Sequence, residues 1–264
     1  DQIEVAIGQF PQDLLPEAHK LQWYQQMGTG TEWLLDQPKA VEHPFILTNC
    51  SDDYGIVLAE HMMALILACA RQLPQEFEAQ RQGVWGKHPF SDPKRFELRG
   101  KTILLVGGGS IGKAIARMAS GFQLRVIGLR SDPSKPIDGV EKIYGPNDLL
   151  EVLPMADLIV NSLPHTSKTI KFFDAAAFDA MKPTACFFNV GRGITVDEEA
   201  LIKALQENRI AGAGLDVFET EPLPKDSPLW NLPNAIITPH SAGNHNRRYE
   251  SWVETAFDNL ERFF

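Results

Sequence analysis

The segment "VGGGSIGKAIA", residues 106–116, constrains the fold more than any other part of this 264-residue chain. Its glycines have the spacing Gly107-x-Gly109-x-x-Gly112, an apolar run from Lys101 precedes them, and alanines at helical spacing follow. A strand, a glycine turn and a helix in this order are typical of a parallel α/β sheet that binds a dinucleotide. Gly107 permits the tight turn, Gly109 lets the backbone approach a pyrophosphate, and Gly112 allows close helix packing. We therefore predict a phosphate-binding turn here, in preference to a glycine turn without a ligand.

Short apolar runs alternate with helical patterns along most of the chain, which is typical of parallel sheets covered by helices. In the first part we predict strands at 3–8, 21–27 and 45–50. A helical pattern runs from residue 54 to about 81, and residues 85–100 then lose all periodicity. We predict an α/β protein of two Rossmann-like domains with parallel sheets. Residues 1–84 plus 244–264 would form one domain, and residues 85–243, which begin with the aperiodic crossing segment, the other.

The pattern after residue 100 is the clearer one. We predict helices at 110–121 and 197–208, and strands at 101–107, 124–129, 156–164, 185–191, 211–218 and 235–240. The last segment, 244–264, is again helical. Because the glycine turn comes after residues 1–106, the preceding part of the chain is long enough to form a separate α/β substrate domain.

Composition narrows the class of protein. The formal net charge of −9 argues against a nucleic-acid or anionic-membrane partner. The apolar stretch 56–70 is interrupted by Glu60 and His61, and we expect it to be too short and too polar to span a bilayer. Three cysteines without CxxC spacing predict buried free thiols in a reducing compartment: Cys50, Cys69 and Cys186. We therefore expect a cytoplasmic protein.

The next predicted strand bears on the choice of cofactor. An NAD enzyme carries an acid at its tip, about 20 residues beyond the glycines, to bind the ribose 2′-hydroxyl. Here Arg130 occupies that place, with Ser131 beside it and Lys135 nearby. A guanidinium pairs well with a 2′-phosphate, which favours NADP. Asp132 could still reach a ribose, so NAD stays an alternative.

Four motifs then occur in a characteristic order: "VGGGSIGKAIA", "NVGRG" (189–193), "GLDVFETEPLP" (214–224) and "TPH" (238–240). Their order and spacing resemble the D-isomer-specific 2-hydroxyacid dehydrogenases over nearly the whole chain. "EPLPKDSPLW" followed by "TPH", together with Arg130, is most similar to the glyoxylate/hydroxypyruvate reductase branch. The resemblance implies an enzyme that reduces a small 2-keto acid to the D-2-hydroxy acid in the cleft between two domains.

The resemblance also implies three catalytic residues. Arg192 of "GRG" would bind the substrate carboxylate and polarise its 2-keto oxygen. Glu221 would pair with His240 and so favour the protonated imidazole. His240 would then donate a proton to the developing alkoxide as hydride arrives.

Further site residues follow from the same resemblance. The backbone amides of Thr29 and Gly30 would take the substrate carboxylate, although a tight turn alone also explains these residues. Asp216 would contact the nicotinamide carboxamide, or it is a strand-end acid that caps a turn. The full cofactor set is Gly107, Gly109, Ser110, Ile111, Gly112, Arg130, Ser131, Pro164 and Asp216. We expect no metal, because His240 and His245 have no third ligand in sequence.

Some expectations concern the assembly and the alternatives. The resemblance implies a homodimer built through the dinucleotide domain and the segment near Trp85. Compared with the family pattern, the first βα unit and the closing arm are missing, so we expect natural termini beyond this sequence. Alternative functions are an NAD-dependent relative such as phosphoglycerate or D-lactate dehydrogenase, and a dinucleotide-sensing binding protein.

Overall fold

A computed structural model describes residues 2–50, 54–85 and 94–264. The chain divides into two compact units, Asp1–Gly55 with Asn244–Phe264, and Ile56–Gly243. Residues 56–84, which we expected in the first domain, lie in the second unit here. Residues 86–93, most of the predicted crossing segment, lie outside the described residues. The assignment of a substrate domain and a dinucleotide domain stays a prediction.

Within the described residues the chain forms ten strands and eight α-helices. The strands are β1 (Val5–Gly8), β2 (Trp23–Gln26), β3 (Ile46–Thr48), β4 (Thr102–Val106), β5 (Arg125–Leu129), β6 (Lys142–Tyr144), β7 (Leu158–Asn161), β8 (Cys186–Asn189), β9 (Gly212–Leu215) and β10 (Ala235–Ile237). The helices are α1 (Pro38–Glu42), α2 (Tyr54–Arg71), α3 (Leu73–Arg81), α4 (Ser110–Gly121), α5 (Leu149–Val152), α6 (Ala175–Ala180), α7 (Glu198–Gln206) and α8 (Arg248–Phe263).

The first unit contains a parallel three-stranded sheet in the order β1-β2-β3. The terminal helix α8 packs on the middle strand, where the rings of Trp23 and Phe263 stack with centroids 5.3 Å apart. Asn259 of the same helix donates a hydrogen bond of 2.8 Å to the Oε1 of Gln25. The last helix of the sequence therefore completes the fold of the first unit.

The second unit is built on a parallel sheet of seven described strands in the order β10-β9-β8-β7-β4-β5-β6. The chain starts in the middle at β4, adds β5 and β6 on one side, and then returns to the other side with β7 to β10. This arrangement is the doubly wound α/β fold, and its order reverses between β4 and β7. Ligands of such sheets bind outside the carboxyl ends of the strands at this point. The predicted α/β class with parallel sheets is confirmed.

The central strands of this sheet are buried on both faces. Leu104 and Val106 of β4 contribute to one core cluster, which also contains Phe187 of β8 and residues of α6 and α7. Ile103 and Leu105 contribute to the other, which contains residues of α2 and α4. Burial on both faces explains why these strands read as continuous apolar runs rather than as alternating patterns.

Two predictions of secondary structure were wrong. The expected single helix over residues 54–81 is broken into α2 and α3. The break occurs because Gln72 adopts a left-handed conformation, with φ of 55°, and Pro74 follows in the first turn of α3. We also missed β6, a strand of three residues at the edge of the sheet, with a pattern too short to detect.

The helix α2 is the one helix among the described residues that is long and apolar enough to cross a membrane. Half of it is buried inside the structure. Its Met62 and Ile66 belong to the core cluster that contains Ile103 and Ile115. The apolar character of α2 is therefore explained by its packing on the sheet.

The cysteines are free and buried, as predicted. Although Cys69 and Cys186 are far apart in sequence, α2 and β8 bring their Sγ atoms to 3.2 Å. The hydrogen bond with Cys186 lowers the pKa of the Cys69 thiol, against the opposing effect of burial.

Candidate active site

The predicted site residues of the second unit lie at one edge of its sheet. The glycine turn follows β4, Arg130 follows β5, Pro164 follows β7, Arg192 follows β8, Asp216 and Glu221 follow β9, and His240 follows β10. Because all seven strands are parallel, these segments leave the sheet at the same edge. The sheet therefore brings together residues that are more than 130 positions apart in sequence.

The glycine turn has the geometry of a phosphate site. Gly107 has a φ of +111°, and a Cβ there would collide with Ser162. A Cβ on Gly112 would lie 2.5 Å from the carbonyl oxygen of Gly107. A Cβ on Gly109, in contrast, would meet no atom of the described residues within 4 Å. Packing thus requires the first and third glycines, and the space beside Gly109 suits a pyrophosphate.

The start of α4 supplies the electrostatic part of this site. The helix begins at Ser110, directly after Gly109. The N–H groups of the first helical turn, here those of Ser110 and Ile111, lie at the positive end of the helix dipole. The residues present therefore fit the pyrophosphate of a dinucleotide.

The segment after β5 carries the residues that bear on the choice between NADP and NAD. The Arg130 side chain lies against Gly108, where an added Cβ would be 2.9 Å from Nε. This Nε is buried and has no hydrogen-bond partner among the described residues. Asp132 is already engaged, since its Oδ1 accepts hydrogen bonds from the Ser134 hydroxyl at 2.6 Å and the Ser134 amide at 3.1 Å. These bonds lower the pKa of Asp132. Ser131, between them in sequence, is exposed.

Two buried asparagines at the ends of β7 and β8 hold the neighbouring loops. Asn161 donates hydrogen bonds to Asn189 Oδ1 at 3.0 Å and to Thr195 Oγ1 at 2.7 Å. In return, Asn161 Oδ1 accepts from the Leu163 amide and Asn189 Oδ1 accepts from the Gly191 amide, both at 3.1 Å. We did not predict these residues, although a polar residue that ends an apolar run was a usable signal.

The asparagine network positions the segments that carry Arg192 and Pro164. Arg192 is half-buried, its Nη1 donates to the Gly191 carbonyl at 2.8 Å, and its own carbonyl accepts from the Thr195 hydroxyl at 2.6 Å. The Pro164 carbonyl accepts from the Thr169 hydroxyl at 2.6 Å. Both segments are therefore fixed by internal hydrogen bonds.

The side chains of Glu221 and His240 are in hydrogen-bonding contact. The Nδ1 of His240 lies 2.6 Å from Glu221 Oε2, while Glu221 Oε1 accepts a hydrogen bond from the Phe218 amide at 2.9 Å. The His240 side chain is 52% exposed and that of Glu221 33%. With Nδ1 directed to the carboxylate, Nε2 makes no hydrogen bond to the described residues. The pair can thus present one ring nitrogen to a substrate.

Asp216 is buried and holds the turn that carries His240. Its Oδ1 accepts from the Thr238 hydroxyl at 2.6 Å and the Ser241 amide at 2.9 Å, and its Oδ2 from the Ala242 amide at 3.0 Å. The Asp216 carbonyl accepts from the His240 amide at 2.8 Å. These contacts match the alternative of an acid that caps a turn. A contact between Asp216 and the cofactor stays a prediction.

In the first unit, the loop with Thr29 and Gly30 follows β2. Gln26 donates to the Gly30 carbonyl, and Asn49 donates to the Thr29 carbonyl at 2.9 Å. Trp33 Nε1 in turn donates to Gln26 Oε1 at 2.7 Å. The loop is thus held through its carbonyl groups, and the amides of Thr29 and Gly30 make no hydrogen bond to the described residues. Their role at the substrate stays a prediction.

The chain resembles proteins of known class. The family model described as "D-isomer specific 2-hydroxyacid dehydrogenase, NAD binding domain" matches residues 63–242. The chain belongs to the D-isomer specific 2-hydroxyacid dehydrogenase family. The predicted family is therefore confirmed, and with it an NAD(P)-dependent oxidoreductase that acts on a CH–OH group.

Among relatives of this dehydrogenase, the glyoxylate reductase of Pyrococcus furiosus is 38% identical over 234 residues, 87% of this chain and 69% of that protein. Glyoxylate/hydroxypyruvate reductase B of Enterobacter sp. is 40% identical over 220 residues, 82% of this chain and 65% of that protein. A solved NADPH-dependent glyoxylate/hydroxypyruvate reductase of Sinorhizobium meliloti, in complex with NADP and malonate, is 32% identical with a TM-score of 0.83. That match covers 98% of this chain and 80% of the other.

As for metals, no group of three or more His, Cys, Asp or Glu side chains suited to an ion occurs in the described part of the chain.

Proposed function

We propose that this dehydrogenase reduces a small 2-keto acid of the glyoxylate or hydroxypyruvate type to the D-2-hydroxy acid, with NADPH as reductant. The observation that carries the proposal is the Glu221–His240 pair, with 2.6 Å between Oε2 and Nδ1, at the same sheet edge as the glycine turn and Arg192. Relatives named glyoxylate reductase and glyoxylate/hydroxypyruvate reductase support the substrate class.

Each of the three residues has a distinct task. Arg192 binds the substrate carboxylate and polarises the 2-keto oxygen, for which a guanidinium has suitable paired donors. Glu221 accepts a hydrogen bond from His240 Nδ1 and so orients the ring, with Nε2 left for the substrate. His240 donates its Nε2 proton to the oxygen that becomes the alkoxide. The reduced nicotinamide, when bound, supplies the hydride to C2.

The same proposal assigns the preference for NADPH to Arg130. Its guanidinium lies against the phosphate turn with a buried Nε that lacks a partner among the described residues, whereas Asp132 is held by Ser134. A cationic group at this position favours the 2′-phosphate, and the acid that would bind a ribose diol is already occupied.

The test is to follow oxidation of NADPH and NADH in parallel, each with glyoxylate and with hydroxypyruvate. We expect turnover with NADPH, and we expect Arg130→Asp to weaken the preference for NADPH over NADH by at least tenfold. As a matched control, Arg125→Gln changes an exposed arginine at the other end of β5, paired with Glu141 at 3.0 Å, and should leave the preference unchanged.

Each result has a definite meaning. Turnover with NADH alone would overturn the cofactor assignment and leave the reaction intact. Tight NADPH binding without turnover of either keto acid would overturn the substrate class and favour a dinucleotide-sensing protein.

We also propose that the protein is a cytoplasmic homodimer. The Trp85 side chain, in the segment where we expect the dimer contact, is 93% exposed, and burial of a large aromatic group against a second copy would be favourable. Light scattering coupled to gel filtration should give twice the mass of the chain, and a monomer mass would contradict the dimer.

A further inference from the structure

A histidine outside the predicted site contacts the turn that carries His240. The Nε2 of His61, on α2, lies 2.9 Å from Thr238 Oγ1 and 3.7 Å from Asp216 Oδ1. The side chain of His61 is 23% exposed, whereas that of Asp216 is 1% exposed. The contact therefore lies at the border between core and solvent, behind the His240 turn.

The donors and acceptors in this contact can be assigned. Asp216 Oδ1 already accepts the Ser241 amide, so it acts as a carboxylate acceptor, and the Thr238 hydroxyl proton must point to it over 2.6 Å. Thr238 Oγ1 then has only lone pairs left for His61. His61 must consequently carry a proton on Nε2 and donate it to Thr238.

We propose that His61 is a positioning residue of this enzyme, which orients Thr238 and through it the Asp216 carboxylate and the His240 turn. The sequence of contacts is His61 Nε2–H to Thr238 Oγ1, Thr238 O–H to Asp216 Oδ1, and Asp216 to the amides of Ser241 and Ala242. The expected effect of His61 on catalysis rests on the proposed role of His240. The expected effect of His61 on the order of the turn does not.

The turn needs such support because of its backbone. His240 has a φ of +49°, a left-handed conformation that costs a non-glycine residue free energy. The hydrogen bonds to Asp216 hold this conformation in place. If Thr238 loses its partner, its hydroxyl can rotate and the carboxylate loses a fixed donor. A catalytic group misplaced by about 1 Å can lower the rate on the order of 100-fold.

The first test compares two substitutions of the same residue. His61→Leu removes the donor, and His61→Gln keeps an N–H donor at similar reach. We expect His61→Leu to lower kcat by about 10- to 100-fold. The KM for NADPH should change less than about twofold, because the glycine turn and Arg130 follow β4 and β5, whereas the turn supported by His61 follows β10. His61→Gln should recover most of kcat. Glu60→Gln, on an exposed neighbour in α2, is the matched control and should behave as wild type.

A second test does not depend on turnover. Amide hydrogen exchange of Ser241 and Ala242, measured by NMR or on a peptide that spans them, should accelerate in His61→Leu and not in His61→Gln. If the reaction proposed above is wrong, this acceleration of exchange still occurs. Failure of the proposed reaction can therefore be distinguished from failure of the positioning role of His61.

A third test addresses the route through Thr238. Thr238→Val removes the hydroxyl at nearly constant volume, and we expect it to reproduce the kcat loss of His61→Leu. The double variant should then lose no more than Thr238→Val alone. Additive losses, unchanged exchange at Ser241 and Ala242, or equal damage from His61→Leu and His61→Gln would each overturn the positioning role.

Discussion

The Glu221–His240 contact allows a quantitative prediction for Glu221→Gln. The variant keeps an Oε1 acceptor for the Phe218 amide, at 2.9 Å in the native protein, but replaces the carboxylate beside His240 Nδ1 by a neutral amide. A charge-assisted hydrogen bond of good geometry contributes about 1.5–3 kcal/mol. Because His240 is 52% exposed and Glu221 33% exposed, solvent screens the pair, and we adopt about 1.5–2 kcal/mol. This corresponds to a loss in kcat/KM of about 10- to 30-fold.

The assay is steady-state oxidation of NADPH with glyoxylate at neutral pH, together with thermal unfolding to verify that the variant is folded. Glu219→Gln is the control, since it removes the same charge from an exposed residue of the same loop, whose contact with Glu198 uses only its backbone amide. We expect Glu219→Gln to retain wild-type kcat/KM. Glu221→Gln within twofold of wild type would refute the role of the Glu221–His240 contact. A loss shared equally by both variants would show that the effect is the net charge of the loop.

Two further predictions concern packing and pH. In Gly112→Ala the new Cβ would press on a backbone carbonyl, so this variant should be destabilised by about 1–3 kcal/mol and show a lower Tm. Gly109→Ala should keep the wild-type Tm and bind NADPH more weakly in a titration. Equal Tm values for the two variants would contradict the distinction between a packing glycine and a binding glycine. Burial opposes the charge of Asp157, but hydrogen bonds from the Thr102 amide at 2.8 Å and Lys182 Nζ at 2.9 Å bring its pKa below the usual value. The ionised Asp157 therefore stabilises the fold at pH values above its unfolded-state pKa of about 4, and this stabilisation is lost as the pH falls through its folded-state pKa. The urea midpoints of wild type and Asp157→Asn should therefore converge with decreasing pH, and a constant gap would refute this.

The parts of the fold that could be predicted have strong local signals. The helix over 110–121 is α4 to the residue, because the glycines before Ser110 and the apolar spacing after it mark both its start and its buried face. The helix predicted at 197–208 is α7, which Asp197 caps by accepting a hydrogen bond from the Ala200 amide. The division at Gln72 could not be predicted from periodicity, because the apolar spacing continues across it. The decisive signal there was Pro74.

For the candidate site, prediction from the sequence is limited in a different way. Arg192, Glu221 and His240 lie in recognisable motifs, since the side chains that bear the chemistry also define the motif. The residues that position them do not, because a hydrogen bond between distant segments leaves no trace in local spacing. Thr238 and His61 are 177 residues apart in sequence. Only the folded structure shows that α2 lies beside the turn after β10.

Buried polar residues are the signal by which such contacts can be sought in a sequence of this class. Asn161, Asn189 and Asp216 each follow or end an apolar run, and each is no more than 1% exposed. A buried amide or carboxylate costs free energy unless its hydrogen bonds are satisfied, so the backbone around it must supply donors in a fixed arrangement. At the carboxyl edge of a parallel sheet those donors belong to the loops that bind ligands. A polar residue at the end of a central strand therefore predicts an ordered active-site loop, even where its own side chain never reaches the substrate.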